Sequence, residues 1–102
     1  NELSPDNPAY IDSLGWLHYK KGEFAKALAD FQRAEKLIPE IQSEDAEILE
    51  HIALAHKQLG DATKALDYLE RANALKTPFP KIRERIEKTL KQWKGISDTE
   101  KK

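Results

Sequence analysis

The chain has 102 residues, 39% hydrophobic and 34% charged, with a net charge of only -1, which bounds it at one domain of ordinary size. Ala, Glu, Lys, Leu and Arg supply 52 of the 102 residues and Val is absent, so the composition predicts an all-α fold and lacks the β-branched runs of a sandwich or parallel sheet. The absence of Cys excludes a disulfide framework and a thiolate nucleophile, and the longest purely apolar run, Ile52-Ala53-Leu54-Ala55, is far too short to span a membrane as a helix.

Leu3-Ser4-Pro5-Asp6-Asn7-Pro8 is a break, with a proline suited to the first turn of the helix that follows. From Ala9 to Lys21 the apolar side chains Tyr10, Ile11, Leu14, Leu17 and His18 recur at helical spacing. Gly22 ends this helix. A second, Glu23 to Ile38, carries Phe24, Ala27, Leu28, Phe31, Ala34 and Leu37 and stops at Pro39. Ser43 is placed to cap a third helix, about Glu44 to Leu59, whose apolar set is Ile48, Leu49, Ile52, Ala55 and His56. Gly60 breaks it, and Asp61 to Lys76 forms a fourth on Ala65, Leu66, Leu69, Ala72 and Leu75. Thr77-Pro78-Phe79-Pro80 is a firm boundary. A fifth helix, about Lys81 to Lys94, carries Ile82, Ile86, Leu90 and Trp93 on one face, and a short polar tail after Gly95 is expected to fray.

Two segments are copies of one another. Shifting the chain by the interval from Gly22 to Gly60 places His18 on His56, Lys26-Ala27-Leu28 on Lys64-Ala65-Leu66, Arg33-Ala34 on Arg71-Ala72, Leu37 on Leu75 and Phe31 on Leu69. Matches in one order and at one spacing across two helices define a helix-turn-helix repeat. The sequence resembles the tetratricopeptide (TPR) family: Leu14-Gly15, His18, Gly22, Ala27, Phe31, Ala34 and Pro39 follow its pattern, and Ala53, His56, Gly60, Ala65, Leu69 and Ala72 repeat it. The chain departs from the family in having Ile11 where Trp is frequent and His18 and His56 where Tyr is frequent. Its repeats are also four residues further apart than usual, the excess falling in Pro39-Glu40-Ile41-Gln42-Ser43. The resemblance implies an α-α superhelix of five antiparallel helices. Residues 1–8 would be the tail of a preceding repeat, 9–42 a first repeat with an extended loop, 43–78 a second, 79–94 a closing helix and 95–102 a flexible tail. The missing Met and this opening segment suggest a piece of a longer array.

In the family, the first helix of each pair lines a concave surface on which partner segments bind. By that resemblance the inward-facing side chains are Asp12, Trp16, Tyr19 and Lys20, then Glu47, Glu50, Leu54 and Lys57, and, if the fifth helix keeps the register, Lys81, Glu84, Arg85, Lys88 and Lys91. Trp16 and Leu54 occupy equivalent slots and would form an apolar strip with a charged rim, the usual composition of a binding hot spot. The competing reading packs Trp16 against a preceding repeat or the fifth helix. Asp12, Glu50, Lys57 and Lys88 would set charge complementarity. Some TPR domains clamp the terminal carboxylate of chaperones; Lys81 and Arg85 resemble half of that clamp, but Asp12, Trp16 and His51 fill the slots where it needs Lys and Asn.

Other chemistry is sparse. His51 and His56 stand five apart on one helix, on different faces, and His18 and His56 fill one packing slot in successive repeats, so no metal is expected. Glu47, Glu50 and His51 read as a solvated helix face. The four serines are expected in loops or caps, with no strained serine turn, so neither a catalytic residue nor a cofactor is expected. Residues 79–102 carry a net +4 against -5 for residues 1–78, but Glu84 and Glu87 alternate with the bases, as the polar face of a closing helix would have it; no nucleic-acid partner and no membrane insertion are expected. The expectation is a non-enzymatic scaffold that binds a protein or peptide partner on its concave face. The alternative is self-association through the open face of the first helix, where Tyr10, Ile11 and Leu14 would meet a preceding repeat or a second copy. The closely spaced repeats resemble bacterial ones, and both cytoplasm and periplasm are compatible.

Overall fold

Asn7 accepts a hydrogen bond from the Tyr10 backbone N–H at 3.1 Å, and Pro8 follows it at the first helical position, a cap and a pre-set φ that together start a helix. In the computed structural model, which describes residues 7–95, the chain forms α1 (Pro8–Lys20), α2 (Phe24–Lys36), α3 (Ala46–Gln58), α4 (Ala62–Ala74) and α5 (Pro80–Trp93), with a single 3-10 turn at Ser43–Asp45 before α3. The expected tail of a preceding repeat and the expected frayed tail beyond Gly95 lie almost wholly outside the described residues.

The two hairpins turn in the same way. Gly22 has φ +84° and Gly60 φ +89°, left-handed values that a side chain resists. At the first turn the Glu23 N–H donates to the His18 carbonyl and the Gly22 N–H to that of Tyr19, both at 2.9 Å; at the second, Asp61 donates to His56 and Gly60 to Lys57. This double closure satisfies carbonyls that a helix end leaves open. Between the repeats, Ser43 does not cap α3. Gln42 takes that place at the head of the 3-10 turn: its backbone N–H donates to Asp45 Oδ2 at 2.8 Å while its side chain receives the Asp45 N–H. The reciprocal pair captures two backbone donors where a lone serine would capture one.

The helices stack in one elongated layer of hairpins, 53 × 28 × 19 Å. Ala27, Ala34, Ala46, Ala53, Ala55, Ala65 and Ala72 are all fully buried, and small residues of this kind let helix axes approach closely. Phe31, Ile11, Ile52, Leu69 and Ile86 fill the spaces between. Two long-range hydrogen bonds fix the relation of the repeats. Asp12 meets His51 and Tyr19 meets Gln58, both at a separation of 39 residues, so α1 and α3 run parallel in register. Leu17, expected in the core stripe of α1, is instead 60% exposed, because α2 and α3 cover α1 on one side only.

A close helix crossing lies inside the first hairpin. A Cβ on Gly15 would meet Phe31 Cε1 at 2.6 Å and Cδ1 at 2.7 Å. The second repeat solves the same crossing with Ala53 against Leu69, both fully buried. Gly15→Ala is therefore expected to destabilise the protein by about 1–2 kcal/mol, overpacking outweighing the better helix propensity of alanine. Adding Phe31→Leu, which reproduces the second repeat's pair, should recover part of that loss. Denaturant midpoints of the two single variants and the double variant test this coupling; additive losses would exclude it.

Candidate functional site

Parallel stacking places the first helices of the two repeats and the closing helix side by side, and a groove of about 570 Å³ opens along them. Asp12, Ser13, Trp16 and Leu17 of α1 line it on one side, Glu47, Glu50, His51 and Leu54 of α3 form its floor, and Arg85 of α5 closes the other side. Trp16 is held from two directions. Its ring stacks on Tyr19 at 4.8 Å and 6° and on His51 at 4.6 Å and 19°, with Lys20 Nζ over it at 5.9 Å. Tyr19 is in turn fixed by an edge contact with Phe24, and His51 by Phe31 beneath it.

The electrostatics of the floor differ from the solvated face expected for Glu47, Glu50 and His51. Glu50 is 1% exposed and His51 6% exposed: Arg85 of α5 covers the first, and Trp16 and Phe31 of the first repeat pack on the second. Arg85 donates from Nε and Nη2 to the two Glu50 oxygens at 2.6 and 2.7 Å and from Nη2 to Glu47 Oε2 at 3.0 Å. The fork on Glu50 raises the Arg85 pKa further above its ordinary value. On the α1 side, His51 Nδ1–H donates to Asp12 Oδ1 at 2.8 Å, so the acids at one slot of each repeat, Asp12 and Glu50, are each tied to a base on the next inner helix. Asp12, Glu47 and His51 also bring potential ligand atoms within 4.8 Å of one another. That group is already balanced, since Asp12 holds an imidazole N–H and Glu47 the Arg85 cation.

Of the residues expected on the concave face, Asp12, Trp16, Glu47, Glu50, Leu54 and Arg85 line the groove, while Tyr19 and Lys20 support Trp16 from behind and above. Lys57 stands over the Trp93 ring at 5.2 Å. Lys81 and Lys88 are exposed on α5 and do not line the groove. Ser13 is in α1 and on the groove wall, not in a loop or cap. Glu50 cannot set charge complementarity for a partner as expected, because both of its oxygens are engaged by Arg85. Sequence reasoning missed His51. The usable signal was its i,i+4 spacing from Glu47, which puts the two on one helix face.

The two histidines in the shared slot differ. His18 pairs with Glu23 at 2.8 Å, and that hydrogen bond lowers the Glu23 carboxyl. His56 is 7% exposed, stacks on Tyr68 at 5.7 Å, and is lowered from the ordinary histidine value chiefly by burial.

Comparison with known proteins agrees with this geometry. Tetratricopeptide repeat models match residues 8–41 and 46–77. The chain is 36% identical over 52 residues to TPR repeat-containing protein PA4667 of Pseudomonas aeruginosa (strain PAO1), an overlap of 51% of this chain and 8% of that protein. No solved structure matches it.

Two outcomes follow from the floor and the buried slot. Arg85→Ala strands the buried Glu50 carboxylate and should cost about 2–3 kcal/mol of unfolding free energy, less than a fully buried pair because the Arg85 side chain is 48% exposed. Arg85→Lys should recover only part, since a lysine cannot make the forked contact; full recovery in a chemical-denaturation series would count against the fork. For His56 the sign is set by a folded-state pKa below the unfolded value of 6.5. Its burial favours the neutral ring, so this contribution is present above that value and is lost as pH falls through it toward the folded pKa, because the unfolded chain binds the proton first. Thermal melts from about pH 7.5 to about pH 5.5 should therefore show a smaller loss of stability in His56→Phe than in the parent.

Proposed function

Given that this chain belongs to the tetratricopeptide repeat family, whose repeats mediate protein–protein interaction, we propose that it is a non-catalytic scaffold module that docks a partner segment in the groove between α1, α3 and α5. One observation carries the reading: Trp16 is stacked on Tyr19 and His51 yet lines an open groove beside Leu54. An aromatic anchor that is already ordered loses little side-chain entropy on binding, which is what makes such residues hot spots. Tyr19 and Lys20 act here as positioning groups for Trp16. Lys57, Lys81 and Lys88 belong to the rim, where charge acts on selectivity and association rate more than on affinity. The chain spans 8% of the length of its bacterial relative, so what a whole protein built around these repeats does extends beyond this module.

A second reading rests on a different surface. Tyr10 and Leu14 of α1 are half-buried, while Ile11, expected beside them, is fully buried in the core, so the open side of α1 presents Tyr10 and Leu14 as apolar surface that a second copy, or another repeat of an array, would cover.

Trp16→Ala and Leu54→Glu separate the two. Both should abolish capture of partners from a bacterial lysate while helicity by circular dichroism is retained; undiminished capture by either variant would refute groove docking. Sedimentation of the parent and of Tyr10→Glu, which lies outside the groove, addresses the second reading, which requires an oligomer that the substitution dissolves.

A further inference from the structure

Resting on that reading of the groove, we propose that its partner is an acidic protein segment, placing an apolar side chain over Trp16 and Leu54 and Asp or Glu residues on either side. The argument lies in which charges around the groove are already used. Glu50 gives both oxygens to Arg85, at 2.6 and 2.7 Å, and Glu47 Oε2 accepts from the same guanidinium at 3.0 Å. Asp12 accepts from His51 at 2.8 Å, its side chain only 15% exposed. A cationic partner would have to compete with Arg85 and His51 for carboxylates whose charge is already offset, and the most buried of them, Glu50, has both oxygens engaged.

The lysines are in the opposite condition. Lys20 Nζ stands over the Trp16 ring and Lys57 Nζ over that of Trp93. An aromatic face attracts an ammonium and orients it without cancelling its charge. Lys88 lies one turn beyond Arg85 on α5 and is exposed. Because α1 and α3 run parallel and Arg85 and Trp93 pair with Glu50 and Lys57 in the same order, Lys20, Lys57 and Lys88 all fall on one side of the Arg85–Glu50 bridge, toward the C-terminal ends of their helices. Lys81 stands one turn before Arg85, with Glu84 as the exposed acid between them. The face thus offers several uncommitted cations around an apolar strip, while most of its acids are committed internally. The apolar strip and the carboxylates on the groove floor favour a protein over a nucleic-acid backbone, whose phosphates would find no continuous basic track here.

The test is calorimetric titration of the full chain with three acetylated, amidated peptides that share one Leu-Phe-Leu core flanked by Glu, by Ser or by Lys, together with a dT oligonucleotide. Blocked ends keep terminal carboxylates out of the comparison. The Glu-flanked peptide is expected to bind about tenfold tighter than the Ser-flanked one at low salt, an advantage that added salt removes. In Lys57→Glu/Lys88→Glu the order of the Glu- and Lys-flanked peptides should reverse with helicity unchanged; should that variant lose helicity, Lys57→Gln/Lys88→Gln must still shrink the preference. Equal binding of the Glu- and Ser-flanked peptides, or tightest binding of the Lys-flanked one, overturns the acidic partner and leaves groove docking standing. No binding by any peptide overturns both. Oligonucleotide binding as tight as that of the Glu-flanked peptide overturns the commitment to a protein partner.

Discussion

Arg85 reaches back from the closing helix to the Glu50 carboxylate on α3, and the groove depends on that contact. Glu50 is 1% exposed, a position that an ionised side chain tolerates only with a partner of good geometry. The guanidinium fork supplies that geometry, and in doing so fixes the angle at which α5 lies across the second repeat. The first repeat uses the same device in weaker form, its acid at the same slot, Asp12, accepting from His51. In a stacked array each unit touches only its neighbours, so registry has to be passed from one helix to the next. Here it is passed through hydrogen-bonded acid–base pairs on the concave side and through small residues on the inner side.

Those two kinds of contact were not equally readable in the sequence. The alternation of large and small side chains is local and repeats, so the period from Gly22 to Gly60, the five helices and most of the core could be read from spacing alone. Even the substitution of Ala53 and Leu69 for Gly15 and Phe31 is visible once the copies are aligned. The fate of Glu50 and His51 was not visible. On a helical wheel they sit beside Glu47 and look solvated; what covers Glu50 is a helix 35 residues later in the chain, and what covers His51 is the first repeat. The cap of α3 was missed for a related reason, since the inserted loop built a reciprocal pair from Gln42 and Asp45 instead of using the residue type with the stronger single preference.

The candidate site shows the same division. The family resemblance put Asp12, Trp16, Glu47, Glu50, Leu54 and Arg85 on one face, and all six line the groove. Spacing could not say which of them remain free to meet a partner. That depends on who has already bonded whom, and four of the six are occupied by Arg85 or His51 or are themselves the occupant. A list of charged residues on a concave surface therefore overstates its acidity. Once internal pairs are removed, Lys20, Lys57, Lys81 and Lys88 carry the charge and the aromatic stack carries the shape.

This division also explains why stability and recognition can be combined on a thin layer of helices. A slender array has little interior in which to bury a binding residue's support, so the support must come from the same face. His51 is the clearest case. Its Nδ1–H ties α1 to α3 through Asp12, and its ring faces form part of the packing that holds Trp16 over Phe31. An imidazole can do both because its hydrogen bonds lie in the ring plane and its stacking surfaces lie above and below it. A carboxamide offers no comparable ring faces to Trp16, and a phenyl ring offers no donor to Asp12, so either replacement would release one half of the arrangement.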